Sequence, residues 1–356
     1  RMDPIKVLDH PDYSESERQA LIDFVLAFKK AHIQDFLAGV RLKRSGTKSE
    51  LRDRIQDGLD EGELTYEQLV GFLDSVSPWG KQHVFLYAGP HGDLQLWKDP
   101  AYVLEKMKEN DQGELFNAKL PLILPEELTL SSITHDGGRL RVTAVQKREY
   151  TERTPDLDEE RHLLDGETIS LRAYVHHQSR TIVAFEWNIE ANTAMLQITQ
   201  LLGDAHYSQV AEKFFALVSG WLDIKLFSDV DIRKAIRRLH ELEGQGKAEA
   251  RSHNIDYRTL LGRRLSAHSA SPNDSVLGEA VIDQAMENVA KHGVAHLGNF
   301  YWLEGTKPGP VPNPLDGNVH VVIVGDMGRI NFPTPNSEEV VRYVLRRVRA
   351  LSGTTS

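Results

Sequence analysis

The sequence predicts a multidomain α+β protein, in which a small helical N-terminal module precedes mixed α/β domains with largely antiparallel sheets. Its 356 residues are more than one hydrophobic core usually organises, so two or three domains are expected. Apolar residues recur at helical spacing up to residue 76 and alternate with a period of two beyond it. Short turn sequences between the alternating segments favour hairpins, and hairpins join antiparallel strands.

The predicted helical module covers residues 1–76. Ser14 and Glu17 form a capping-box pattern before a helix that is predicted to reach residue 30. Apolar residues spaced at i, i+3, i+4 and i+7 predict a second helix from about residue 31. Two more capping boxes, at residues 47–50 and 65–68, predict the starts of a third and a fourth helix. The sequence Ser-Pro-Trp-Gly at 77–80 ends the helical pattern.

A middle α+β domain is predicted over residues 77–227. Hairpin turns are expected at 136–138 and 177–180, and a polar exposed loop at 152–161. Helices are expected at 194–202 and 208–222. Period-two alternation predicts the strands, which are 83–87, 94–97, 128–133, 140–146, 168–175 and 181–187.

A second α+β domain is predicted over residues 228–356. Its helices are expected at 229–242, at 275–291 and from residue 336 or 337 to 351. Its strands are expected at 248–257, 300–303, 319–324 and 329–332, with a turn at 325–328.

Positive charge is concentrated in one short part of this acidic chain. The formal net charge is -10, which argues against a protein that wraps nucleic acid over its whole surface. Residues 29–54 nevertheless contain eight Lys or Arg against three acids, whereas residues 57–74 contain six acids and no base. Any surface that binds a polyanion is therefore expected to be local and to lie in the helical module.

The segment 45–55, Ser-Gly-Thr-Lys-Ser-Glu-Leu-Arg-Asp-Arg-Ile, follows an apolar helix and an extended link. This arrangement resembles the SAP domain, whose motif is an apolar helix, a link ending in Ser/Thr-Gly-x-Lys, and a second helix of the type x-Glu-Leu-x-x-Arg-Leu. The resemblance covers residues 31–59 and implies binding to double-stranded DNA. It also implies that Leu42 and Leu51 join the core. The chain departs from the family where Gly-Leu-Pro is common, because Arg41-Leu42-Lys43 stand there.

The predicted nucleic-acid site consists of the basic residues around this link and one glycine. By the resemblance, Gly46 permits a tight approach, and Lys48 and Arg54 either face the nucleic acid or stabilise the second helix. Long cations near a helix N-terminus, where backbone N–H groups point outward, suit phosphate groups. The site residues are Arg41, Lys43, Arg44, Gly46, Lys48, Arg52 and Arg54.

Two other functions stay open, namely a DNA-processing enzyme and a protein-interaction scaffold that binds no nucleic acid. Asp223 and Lys225, with Asp204 upstream, carry the acid-x-Lys pattern of metal-dependent nucleases. Neither the adjacent pair His176-His177 nor the pair His292 and His296 is spaced to share a metal ion easily. No resident metal, cofactor or catalytic residue is therefore predicted.

Arginines on two later helices are weaker candidates for an anion-binding surface. They are Arg342, Arg346, Arg347 and Arg349 on the last helix and Arg233, Lys234, Arg237 and Arg238 on the helix after residue 228. Cysteine is absent, and no apolar run is long enough to cross a bilayer. We therefore expect a cytoplasmic, nucleoid or nuclear protein with DNA and possible protein partners and no membrane contact; its oligomeric state is left open.

Overall fold

A computed structural model of the chain describes residues 15–26, 28, 30–76, 79–118, 120–121, 124–162, 167–201, 206–309 and 311–353. The chain forms two compact units, Arg1–Ser75 and Val76–Ser356. The fold class is mixed α and β with a large antiparallel sheet, as the change of period predicts.

The N-terminal unit is helical. Its helices are α1 (Glu15–Leu26), α2 (Lys30–Gly39), α3 (Lys48–Asp60) and α4 (Tyr66–Val76). The predicted capping boxes before α3 and α4 are confirmed, whereas Ser14 lies outside the described residues. The first helix ends at Leu26 and not at residue 30. The buried apolar side chains of this unit include Ile22, Val25, Ile33, Leu37, Leu51, Ile55, Leu69 and Leu73.

The larger unit is built on one sheet, which has eleven strands in the described part of the chain. Neighbouring strands pair antiparallel, and the order along the sheet is β10-β9-β11-β12-β13-β1-β7-β6-β3-β2, with β8 paired to β1. Strands β4 and β5 form a separate hairpin. The strands are β1 (Gln82–Ala88), β2 (Thr129–His135), β3 (Arg139–Arg153), β4 (Glu159–His162), β5 (Thr168–Leu171), β6 (Tyr174–Asn188), β7 (Thr193–Thr199), β8 (Ser228–Asp229), β9 (Ala250–Arg258), β10 (Arg264–His268), β11 (Val294–Trp302), β12 (Val319–Val324) and β13 (Arg329–Phe332).

Helices cover opposite faces at the two ends of this sheet. Helices α5 (Pro100–Lys108) and α6 (Tyr207–Val218) share one core with strands β2, β3, β6 and β7. Helices α7 (Arg233–Gly244), α8 (Ala280–His292) and α9 (Glu338–Leu351) share a second core with strands β9, β11, β12 and β13. Strand β1 belongs to both cores, because Val84 and Leu86 face one and Tyr87 faces the other.

The predicted boundary between residues 227 and 228 differs from the structure. Strand β1, from the predicted middle domain, pairs along one edge with β7 and along the other with β13, from the predicted C-terminal domain. The two segments therefore share one continuous sheet and one compact unit. Sequence patterning indicates which residues form strands, but it does not indicate which distant strand lies beside each of them.

Several local predictions are wrong for reasons that the structure makes clear. Residues 94–97 form no strand, because Asp99 and Pro100 begin α5 directly after a short 3-10 turn. Residues 194–202 contain strand β7 and not a helix. Residues 177–180 lie within β6 and form no turn, since β3 and β6 pair continuously from Arg139↔Asn188 to Arg153↔Tyr174. Part of the loop expected at 152–161 is strand β4, although it is exposed as predicted.

Candidate nucleic-acid interface

The link between α2 and α3 begins with a Schellman turn, a common way to end a helix. The Leu42 amide donates to the Leu37 carbonyl at 2.8 Å, and the Arg41 amide donates to the Ala38 carbonyl at 3.1 Å. This turn places Arg41 at φ 66°, in the left-handed region that normally favours glycine. The chain therefore keeps the turn that glycine would give, with an arginine in a conformation that costs an L-residue about 1–2 kcal/mol.

The link ends in the capping box that starts α3. The Thr47 side chain accepts a hydrogen bond from the Glu50 amide, and the Glu50 carboxylate accepts one from the Thr47 amide at 2.6 Å. These hydrogen bonds, chiefly the one from the Thr47 backbone, lower the pKa of Glu50. Gly46 has φ +143°, and a Cβ atom there would lie 3.0 Å from the Glu50 carboxylate. The glycine is therefore required both by the backbone angle and by the close approach of the capping side chain.

Three of the predicted site residues make contacts within the unit. Lys48 donates to the Leu26 carbonyl at 2.7 Å, which ties α3 to the end of α1. Arg52 forms an ion pair with Asp23 of α1. Arg54 donates to the carbonyls of residues 43 and 45, at 2.6 Å and 2.9 Å. These side chains hold the helices and the link together.

The other three cations of the predicted site point away from such contacts. Arg41, Lys43 and Arg44 are exposed, and within the described residues no hydrogen bond or ion pair engages their side chains. The intervening Leu42 is half-buried, and a Cβ atom at Gly58 of α3 would lie 3.1 Å from it. Along the link, Leu42 therefore packs on α3, while its neighbours Arg41 and Lys43 expose their charges to solvent.

The backbone of the link is fixed by side chains on both flanking helices. The carbonyls of residues 43, 44 and 45 all accept side-chain hydrogen bonds, two from Arg54 and one from Gln34 of α2 at 2.9 Å. Gln34 was not predicted to take part, because nothing in its sequence neighbourhood distinguishes it from other polar residues on a helix surface. The result is an ordered link whose carbonyl dipoles are satisfied internally and whose cations remain accessible.

The arginines of α9 serve the fold of the larger unit. Arg342 donates to both carboxylate oxygens of the buried Glu186, at 2.6 Å and 2.8 Å, and Arg141 donates to the same group at 3.1 Å. Arg347 pairs with Glu249, and Arg349 donates to the Tyr87 carbonyl at 3.0 Å. Only Arg346 of this set is exposed.

The three arginines of α7 are engaged in a similar way, whereas Lys234 is exposed. Arg233 and Arg238 pair with Asp231 and Glu241, and Arg237 donates to the Gly293 carbonyl at 2.6 Å. These arginines are therefore weaker candidates for an anion-binding surface than the three cations of the link.

The nuclease pattern does not form a metal site in the described residues. Asp223 caps the 3-10 turn Ile224–Leu226 and accepts from the Lys225 amide at 3.0 Å, while Asp204 lies outside the described residues. His292 ends α8, whereas His296 on β11 pairs with Asp326. Across the described ranges, no three His, Asp or Glu side chains are grouped as metal ligands would be.

Comparison with known proteins assigns no family to the chain. No family model matches the sequence, and a search of curated proteins finds no significant match. Within the described part of the chain, no helix combines the length and the apolar character needed to span a membrane.

Proposed function

We propose that this chain binds double-stranded DNA through the helix–link–helix formed by α2, residues 40–47 and α3, which is similar to a SAP domain. The observation that carries the proposal is the ordered link with three accessible cations, Arg41, Lys43 and Arg44. Lysine and arginine side chains on a fixed backbone suit the regularly spaced phosphates of a duplex. Gly46, Lys48, Arg52 and Arg54 hold the link in the shape that presents these cations.

Binding of this kind is tolerant of DNA sequence. The three cations contact phosphate groups, which are the same at every base pair, and no Asn or Gln in the link is placed to read a base edge. The negative net charge of the chain, -10, repels the duplex elsewhere and confines contact to the link.

The test is a mobility-shift titration of the full chain with a random-sequence duplex at several salt concentrations. Three phosphate contacts give a log–log slope of affinity against salt of about −3. The double variant K43Q/R44Q flattens the slope by about two units and weakens binding about equally for all sequences. The matched control is K234Q/R346Q, which removes two exposed cations of the larger unit and leaves the slope unchanged.

A slope that is the same in K43Q/R44Q and in the unaltered chain contradicts the proposal. If K234Q/R346Q flattens the slope instead, the DNA-binding surface lies on the larger unit. If none of the three proteins binds a duplex, the N-terminal unit has another partner.

A second role, in protein assembly, is favoured for the larger unit by one feature. Strands β3 and β6 continue beyond the rest of the sheet as a two-stranded arm, and the β4–β5 hairpin lies at its end. A hairpin that packs on nothing is marginally stable in water. Apolar side chains of this arm are exposed in the single chain, and a partner that covered them would stabilise it. They are Leu157, Ile169, Leu171 and Tyr174.

We propose that this arm joins two copies of the chain. Sedimentation of the triple variant L157S/I169S/L171S tests the role, with the unaltered chain as reference. A dimeric unaltered chain and a monomeric variant would support assembly through the arm. If both proteins sediment as monomers, the proposed assembly role is wrong.

A further inference from the structure

A group of polar side chains that neither proposal uses lies in the larger unit, where α6 meets the sheet. Tyr207 is the first residue of α6, and its ring packs against the ring of His83 on β1 with centroids 3.9 Å apart. On the neighbouring strand β13, the Arg329 guanidinium carbon lies 4.9 Å from the centroid of the same ring. Burial raises the pKa of the Tyr207 phenol, and the nearby charges of Arg329 and of Arg148 on β3 oppose that rise.

The two arginines of this group have no counter-ion in the described residues. Among the residues that the structure describes, Arg148 donates only to the neutral amide of Gln146, at 3.2 Å, and the buried Nε atom of Arg329 has no hydrogen-bond partner. Both side chains are half-buried, and burial lowers the pKa of each guanidinium. A partly desolvated cation without an anion is unfavourable, so an anion that reached both groups would be held strongly.

The groups around the arginines offer further donors. Tyr207 accepts at its oxygen from the Leu201 amide at 3.0 Å, which leaves the phenolic hydrogen available to donate. His83 is only 7% exposed, and its buried Nδ1 atom has no hydrogen-bond partner within the described part of the chain. His206, the N-cap residue of α6, makes no side-chain capping hydrogen bond to the first turn.

We propose that Arg148, Arg329, Tyr207 and His83 form a binding site for a phosphate group. The arginine forks match phosphate oxygens in pairs, and the phenol supplies a third donor from another direction. A tetrahedral anion with several acceptor oxygens uses donors that converge from different strands, whereas a planar carboxylate uses fewer of them. The phosphate belongs either to a free phosphomonoester or to the phosphodiester chain of a nucleic acid.

The experiment measures thermal unfolding and calorimetric binding of inorganic phosphate by the full chain, with chloride at equal ionic strength as reference. Phosphate raises the melting temperature of the unaltered protein by a few degrees, as a ligand of the folded state does. R148Q and R329Q each weaken phosphate binding about tenfold or more, because each removes one charge-assisted pair. R329K keeps the charge without the fork and gives an intermediate loss.

Arg346→Gln is the matched control, since this arginine is exposed on α9 and lies outside the group. The proposal is overturned if phosphate does not stabilise the unaltered protein, or if R148Q and R329Q respond to phosphate as R346Q does. R329Q is expected to fold, because the change removes a partly buried charge that has no counter-ion among the described residues. Its melting temperature in chloride is expected to equal or exceed that of the unaltered chain, and a large fall would mean that Arg329 is needed for folding, against the proposal.

Titrations with adenosine monophosphate and with a short DNA duplex, in the K43Q/R44Q background, distinguish the two sources. If R329Q lowers only the affinity for adenosine monophosphate, the ligand is a free phosphomonoester. If it lowers the remaining affinity for the duplex, the site takes a nucleic-acid phosphate. R148Q and R329Q leave the link between α2 and α3 unchanged, so their loss of phosphate binding tests this site separately, and the proposed DNA-binding function can fail while the site stands.

Discussion

The guanidinium of Arg54 lies 2.6 Å from the carbonyl oxygen of Lys43, so a cation on α3 fixes the backbone that carries a second cation. The same Nη1 atom donates a second hydrogen bond to the Ser45 carbonyl, at 2.9 Å, and so bridges two carbonyls of the link. Arg54 therefore acts on any ligand of the link indirectly, through the shape of the backbone.

Replacing Arg54 by Ala is expected to loosen the link between α2 and α3. The change removes two hydrogen bonds from a charged donor, which together stabilise the local structure by about 1–2 kcal/mol at a solvent-exposed position. Amide hydrogen exchange of residues 41–47, measured by mass spectrometry on the full chain, should become faster by about tenfold. Arg44→Ala is the control, because that side chain contacts no carbonyl; equal exchange in the two variants would contradict the role of Arg54.

Replacing Arg41 by Gly is expected to stabilise the N-terminal unit and to weaken DNA binding. Glycine removes a backbone strain of about 1–2 kcal/mol in the left-handed region. It also loses more conformational entropy on folding, which costs about 0.5–1 kcal/mol. The free energy of unfolding is therefore expected to rise by about 0.5–1 kcal/mol. Slower amide hydrogen exchange in α2 and α3 of R41G would confirm the increase in stability. Arg41→Gln keeps the Cβ atom and loses the charge, so it should weaken DNA binding to the same degree without the gain in stability.

Replacing Glu186 by Gln is expected to destabilise the larger unit by about 3 kcal/mol at neutral pH, because Arg141 and Arg342 both lose a buried counter-ion. Although burial opposes it, the hydrogen bonds and charge of Arg342 and Arg141 lower the pKa of Glu186 below 4.5. The contribution of the ionised Glu186 to the free energy of unfolding is therefore present above pH 4.5 and is lost as the pH falls towards the lowered pKa. Calorimetry at pH 7 and pH 4 measures the difference in melting temperature between E186Q and the unaltered chain. This difference is expected to be smaller at pH 4, and an equal difference at the two pH values would contradict the prediction.

Replacing His83 by Gln is expected to make the larger unit less sensitive to acid. Burial, with a smaller effect from Arg329, lowers the pKa of His83 to about 3 from 6.5. The folded state favours the neutral ring, so the contribution of His83 is complete above pH 6.5 and declines as the pH falls towards 3. Between pH 7 and pH 5 the unaltered chain should lose about 2 kcal/mol through this residue. His91→Gln, at an exposed histidine, is the control for urea unfolding at the two pH values.

Features that depend on a few neighbouring residues could be predicted from the sequence. The capping box of Thr47 and Glu50 is one, because both hydrogen bonds join residues three apart. The strands of the larger unit mostly follow their period-two pattern, but residues 177–180 do not form the turn that their composition indicates. There the pairing of β3 with β6 continues through polar residues, and tertiary pairing overrides local turn propensity.

The position of the basic cluster could be predicted from the sequence. Which of its side chains make internal contacts and which stay exposed could not. Arg52 and Lys43 have similar charge and lie nine residues apart in the sequence. Only the placement of Asp23 on α1 separates an arginine that forms an internal ion pair from a lysine that does not. Such contacts depend on how the helices pack, and an apolar pattern fixes the face of a helix without fixing the neighbours of its polar side chains.

The pairing of β1 with β13 also determines the order in which the nascent chain can fold. Strand β1 leaves the ribosome early, but along one of its edges residues 82–85 have no native neighbour until residues 329–332 have been synthesised, and residues 87 and 88 have none until β8 follows. The helices of the N-terminal unit rely on local contacts and can pack while translation continues, whereas the central strand of the large sheet must wait. Until then the open edge is free to pair with other strands, so chaperone dependence during synthesis is expected to concentrate in the larger unit.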